Sequence, residues 1–112
     1  MQRGKPTRFY SSRQEKAVAK SLNGKQVANS GATHFNKGDV TIGEVCLVEC
    51  KTCTSEQKSF TIKREWLDKN AEEAFAMGKS YSALAFDFGS GTNYYVVNEK
   101  IFKEWLNGLD KQ

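Results

Sequence analysis

Val45-Cys46-Leu47-Val48-Glu49-Cys50-Lys51 is an apolar run that ends in an acid and a base two positions apart. In a strand, the period of two puts Glu49 and Lys51 on the same face. Charged side chains are kept out of buried strands unless they are paired or hold a metal, so this placement needs a reason. A shorter run, Gly38-Asp39-Val40-Thr41-Ile42, precedes it, and Gly43-Glu44 separates the two in the manner of a hairpin turn. The start of the first hairpin strand then lies beside the end of the second. Asp39, Glu49 and Lys51 are thereby expected to converge on one spot.

Two facing carboxylates repel, and a hard divalent cation with oxygen ligands at about 2.0–2.1 Å is the usual resolution. Mg2+ is the natural candidate and Mn2+ a possible substitute. A neighbouring lysine can orient or deprotonate an attacking water and offset charge building on a phosphorane, because its pKa falls readily in a semi-buried site. The chemistry this points to is phosphodiester hydrolysis. The same residues also fit an ordinary strand-end ion pair, with Asp39 serving the turn.

Charge along the chain favours a phosphate partner. Residues 1–38 carry Arg3, Lys5, Arg8, Arg13, Lys16, Lys20, Lys25 and Lys37 against Glu15 alone, a balance of +7, while the remaining residues carry −3. A cationic front half suits a nucleic-acid backbone, although a solvated basic surface has the same composition. Arg3, Lys5, Arg8, Arg13 and Lys37 are the expected DNA contacts. No apolar run reaches the roughly 20 residues that span a bilayer, and Met1-Gln2-Arg3-Gly4-Lys5 leads into polar sequence rather than a signal core. A cytoplasmic protein with no membrane partner is expected. Cys46, Cys50 and Cys53 are odd in number and crowded, a poor disulfide framework that suits a reducing compartment. Their C-x3-C-x2-C spacing also lacks the paired knuckles of structural zinc sites.

The elements needed to hold the three charged groups can be read along the chain. Residues 1–10 look like a mobile basic arm, and residues 11–112 like one domain. Ser11 or Ser12 can cap a helix running to Asn23-Gly24, with Gln14, Ala17, Val18 and Leu22 on its inner face. The hairpin follows a small-residue loop at Asn29–Thr33. Ser59–Ile62 alternates as a short strand, and Lys63–Met77 repeats Trp66, Leu67, Ala71, Ala74 and Phe75 at helical spacing. Tyr81–Phe88 and Tyr94–Val97 are strands around the turn Gly89–Asn93. A last helix, about Glu99–Leu109, carries Ile101, Phe102, Trp105 and Leu106. The result is a mixed α/β domain without internal repeats.

Gly38-Asp39-Val40, nine intervening residues from Val40 to Val48, and then Glu49-Cys50-Lys51 resemble the PD-(D/E)xK nuclease motif. Glycine stands where the name-giving proline would be, a change to the turn rather than the chemistry. A glutamate-bearing N-terminal helix, the Ser30-Gly31 loop, the hairpin and a following helix extend the similarity to the small Holliday junction resolvases of archaea and bacteriophages, over about residues 11–88. This resemblance implies a restriction-endonuclease-like core, a mixed central sheet flanked by helices. It also implies metal binding by Asp39, Glu49 and the Cys50 carbonyl, water activation by Lys51, and Glu15 as a fourth acid on the first helix. Ser30 corresponds to a loop serine of the archaeal enzymes. The implied substrate is branched double-stranded DNA, cut without any small-molecule cofactor.

A chain of 112 residues is too small to grip a four-way junction and cut two strands, so this reading carries a homodimer with it. His34, Lys63 and Arg64 are further phosphate-contact candidates, each equally consistent with a solvated side chain. Gly89-Ser90-Gly91 lacks the GK[ST] that a phosphate loop requires. Other nucleases of the same core, cutting nicked, flapped, forked or mismatched DNA, and a non-catalytic DNA-binding module remain as alternatives. No helix-turn-helix or zinc finger is present to read bases, so recognition by shape and phosphate is expected.

Overall fold

The computed structural model describes residues 7–27 and 39–110. Three helices and five strands follow in the order α1 (Thr7–Leu22), β1 (Lys25–Gln26), β2 (Asp39–Ile42), β3 (Cys46–Lys51), α2 (Arg64–Ala76), β4 (Tyr81–Phe86), β5 (Tyr94–Val96) and α3 (Glu99–Asp110). The strands make one mixed sheet in sequence order. β1, β2 and β3 form an antiparallel meander, α2 carries the chain over to β4 parallel to β3, and β5 returns antiparallel.

The two sheet faces are separated by strand alternation. Val40, Cys46 and Val48 form a core with Val18 and Ala19 of α1 and with Ala83 and Ala85, with Leu22 and Cys50 packed against it. Leu47, Glu49 and Lys51 must point the other way, toward α2. There Asn70, almost fully buried, donates from Nδ2 to the carbonyls of Leu47 (3.3 Å) and Ala83 (3.0 Å). This polar link ties α2 to both central strands.

Local chemistry sets the ends of the elements. Asn23 takes a left-handed φ of 56° after α1, where the Gly24 amide reaches back to the Ala19 carbonyl at 2.8 Å. In the hairpin turn Gly43 has φ of 52°, and the Val45 amide closes the turn onto the Ile42 carbonyl at 3.0 Å. α2 ends at Gly78, also left-handed, with the amides of Met77, Gly78 and Lys79 capping its last carbonyls.

Three sequence expectations are corrected. α1 begins at Thr7, so the last four residues of the expected arm are helical, and Tyr10 is buried. Ser59–Ile62 is not a strand. Both edges of β3 are already taken by β2 and β4, so this segment has no ladder to join there; Phe60 instead packs its ring against Phe86 and Trp66. On α1, Ala17 is exposed, and Gln14, Glu15, Val18 and Ala19 form the buried stripe. The other expected elements, the hairpin, α2, β4, β5 and α3, stand within about two residues of their expected bounds. No helix among the described residues is long and apolar enough to cross a membrane.

Candidate active site

The register of the hairpin decides which charged groups meet. Asp39 and Glu49 are directly opposed Cα partners of β2 and β3, so their side chains leave the same face of the sheet. Asp39 is 2% exposed and Glu49 4%. Each holds a buried oxygen, Asp39 Oδ1 and Glu49 Oε1, that has no hydrogen-bond partner among the described residues. An uncompensated buried carboxylate oxygen costs stability, and here two stand on directly opposed residues.

Lys51 completes the group. Its Nζ lies 3.2 Å from Glu49 Oε2 and 4.5 Å from the centre of the Trp66 ring, so the ammonium is fixed between β3 and α2. Glu49 and Lys51 line one wall of an open cleft of about 740 Å3, with Trp66, Lys69 and Glu72 of α2 on the other. Water and phosphate can therefore reach the lysine.

A further acid belongs to this group. Glu73 of α2 makes a side-chain hydrogen bond with Asp39 and raises the proton affinity of both Asp39 and Glu49. Burial first, and then Glu73 and Glu49, push the Asp39 carboxyl up to about 8, with Lys51 opposing. Burial also raises Glu49, again against the pull of Lys51. Among the described residues no group of three or more His, Cys, Asp or Glu side chains is already set to hold a metal ion. Glu49 is instead turned to Lys51, and Asp39 to Glu73. The donor set nevertheless fits a hard divalent cation, because it consists of carboxylate oxygens, two of them buried and unsatisfied.

Glu15 is buried on the opposite side of the sheet, where Gln26 Nε2 donates to its Oε1 at 3.4 Å and its charge acts on the Cys50 thiol. Burial, then the carboxylates nearby, keep that thiol protonated. Cys46 is pushed up to about 11 by burial, and all three cysteines are free thiols. Of the expected DNA contacts, Arg13 is exposed on α1 and lies over the rings of Phe9 and Tyr10. Arg8 falls in the first turn of α1. Arg3, Lys5, Ser30 and Lys37, with His34 and Gly38, lie outside the described residues.

Sequence reasoning passed over Glu73, and it took Trp66 as part of the apolar face of α2 or of a dimer seam, not as a contact of Lys51. A signal was present: Trp66, Asn70 and Glu73 fall at i, i+4 and i+7, so two polar residues interrupt what should be the apolar stripe of α2. Gln14, expected only as an inner-face residue, has a specific task behind the site. Its Nε2 donates to the Lys51 carbonyl at 2.8 Å and to Asn93 Oδ1 at 3.0 Å, fixing the end of β3. Comparison with family models, curated proteins and solved structures finds no match.

Proposed function

We propose that this protein is a metal-dependent, structure-selective DNA endonuclease, and within that class a Holliday junction resolvase that nicks four-way junctions symmetrically as a homodimer. The observation that carries the reading is the opposed pair Asp39 and Glu49, two buried acids with unsatisfied oxygens, beside a lysine held at the rim of an open cleft. The first helix, the β2–β3 hairpin and the following helix, around one mixed sheet, are consistent with the core that the PD-(D/E)xK resemblance implies.

Asp39 and Glu49 would hold Mg2+, or Mn2+ in its place, with the Cys50 carbonyl as a backbone ligand. When bound, the cation supplies Lewis-acid polarisation of the scissile phosphate and neutralises its charge. Lys51 would act as a cation: its ammonium orients the attacking water and offsets charge on the phosphorane. Trp66 and Glu49 keep the ammonium in place for this task. Arg13, Lys16, Lys20 and Lys25 form an exposed cationic stretch on α1 and β1 that suits the DNA backbone. The acidic rim of the cleft, Glu65, Asp68 and Glu72, repels phosphate until the cation and the lysines offset it.

Paired cuts need two sites. α3 would offer a seat for a second copy, since Phe102, Leu106 and Leu109 are exposed along one side of it, Leu109 at 64%.

The test is Asp39→Asn. Cleavage should fall by at least about a thousandfold while junction binding stays within about threefold, because the side chain keeps its volume and loses only its charge. Cutting that persists in this variant removes Asp39 from the site and overturns the assignment.

A further inference from the structure

We propose that Glu73 is the helix-borne carboxylate ligand of the divalent cation held by Asp39 and Glu49. The proposal rests on the nuclease reading and deepens it: it assigns a third acid to the site and places α2, rather than α1, as the helix that closes it.

Asp39 and Glu49 are register partners and point to the α2 side. Glu15, on α1, sits among groups of the other side: Gln26 is the register partner of Val40, and Val40 and Cys50 both pack with α1. Reaching Asp39 would require Glu15 to leave the α1 face of the sheet. Glu73 needs no such movement. It is already hydrogen-bonded to Asp39, and its charge acts on Glu49.

The unpartnered oxygens supply the second observation. Asp39 Oδ1 and Glu49 Oε1 are buried and unbonded in residues more than nine-tenths buried, beside a third acid on the same face. Two such oxygens on directly opposed carboxylates leave acceptor positions that a cation can take. A divalent cation would use them, with Asp39, Glu49 and Glu73 as its carboxylate donors.

α2 is also held firmly enough to present a ligand. Asn70, one turn before Glu73, is anchored to carbonyls of β3 and β4, and Trp66, a further turn back, stacks on Lys51. The helix is fastened at two points along the same stripe, so Glu73 is delivered to a defined position.

The experiment titrates Mn2+ into the full chain without DNA and reads free Mn2+ by electron spin resonance. Wild type, Glu73→Gln, Glu73→Asp, Glu15→Gln and Asp39→Asn are compared, with folding of each checked by circular dichroism. Glu73→Gln should weaken Mn2+ binding by at least about tenfold, Glu73→Asp should recover part of the loss, and Glu15→Gln should stay within about twofold of wild type. If Glu73→Gln binds Mn2+ as wild type does while Asp39→Asn does not, the role of Glu73 is overturned and the metal site of the nuclease reading stands. If wild type binds no Mn2+ at millimolar concentration, both fail together.

Discussion

The Lys51 ammonium lies 4.5 Å from the centre of the Trp66 ring and 3.2 Å from the Glu49 carboxylate, so its position is set from two elements at once. A lysine whose stem is free would sample many rotamers, and most of them would take the ammonium away from the attacking water. Trp66 is therefore a positioning residue. A partly exposed cation–π contact is worth about 0.5–2 kcal/mol. Trp66→Ala should lower the single-turnover cleavage rate by about three- to thirtyfold with DNA affinity unchanged, and Trp66→Phe should keep most of the rate. A drop in affinity with an unchanged rate would assign Trp66 to DNA contact instead.

The acid cluster makes the metal-free protein sensitive to alkali. Asp39 is pushed from its ordinary 3.8 up to about 8 by burial, and Glu49 is raised as well. A carboxyl that holds its proton more tightly when folded stabilises the fold below its unfolded pKa near 4. That contribution is lost as pH rises toward 8. In EDTA, the melting temperature should fall between pH 5 and pH 8, Asp39→Asn should flatten the fall, and Mg2+ at pH 8 should restore stability. A flat profile in EDTA would show that the cluster is not strained.

Asn70 couples the helix to the sheet. Its amide serves two strand carbonyls from a position that is 1% exposed. Asn70→Ala removes both bonds and leaves a small cavity, which costs about 2–4 kcal/mol. Urea unfolding at equilibrium measures it, and a loss under about 0.5 kcal/mol would mean that water replaces the amide without penalty.

Much of this arrangement was legible in the sequence, for identifiable reasons. The hairpin and its register follow from Gly43 and from the alternation that brings Glu49 and Lys51 to one face, and the structure pairs Asp39 with Glu49 as expected. The start of α1 was misread because Arg3, Lys5 and Arg8 gave residues 1–10 the look of a solvated arm, although Pro6 just before Thr7 is itself a helix-start signal. Ser59–Ile62 alternates like a strand, and only the sheet topology reveals that both edges of the preceding strand β3 are already taken. Glu73 was hidden because Glu72-Glu73 reads as a solvated pair. Which of the two turns inward depends on how α2 crosses the sheet, a tertiary quantity that helical periodicity does not contain.

The exposed side of α3 bears on assembly. Ile101 is buried and Trp105 meets Tyr81, while Phe102, Leu106 and Leu109 remain exposed. Charging that side with Phe102→Glu and Leu106→Lys should turn a sedimenting dimer into a monomer without changing the circular dichroism. A wild-type chain that sediments as a monomer at micromolar concentration and on junction DNA would contradict the paired-site account.

The most direct test of the central claim is cleavage of a labelled immobile four-way junction beside a linear duplex of matched sequence, each in Mg2+ and in EDTA. The account predicts paired symmetric nicks in the junction, in Mg2+ only, with the duplex intact. Equal cutting of both substrates would contradict junction selectivity, and tight binding without cutting in Mg2+ or Mn2+ would contradict the nuclease itself.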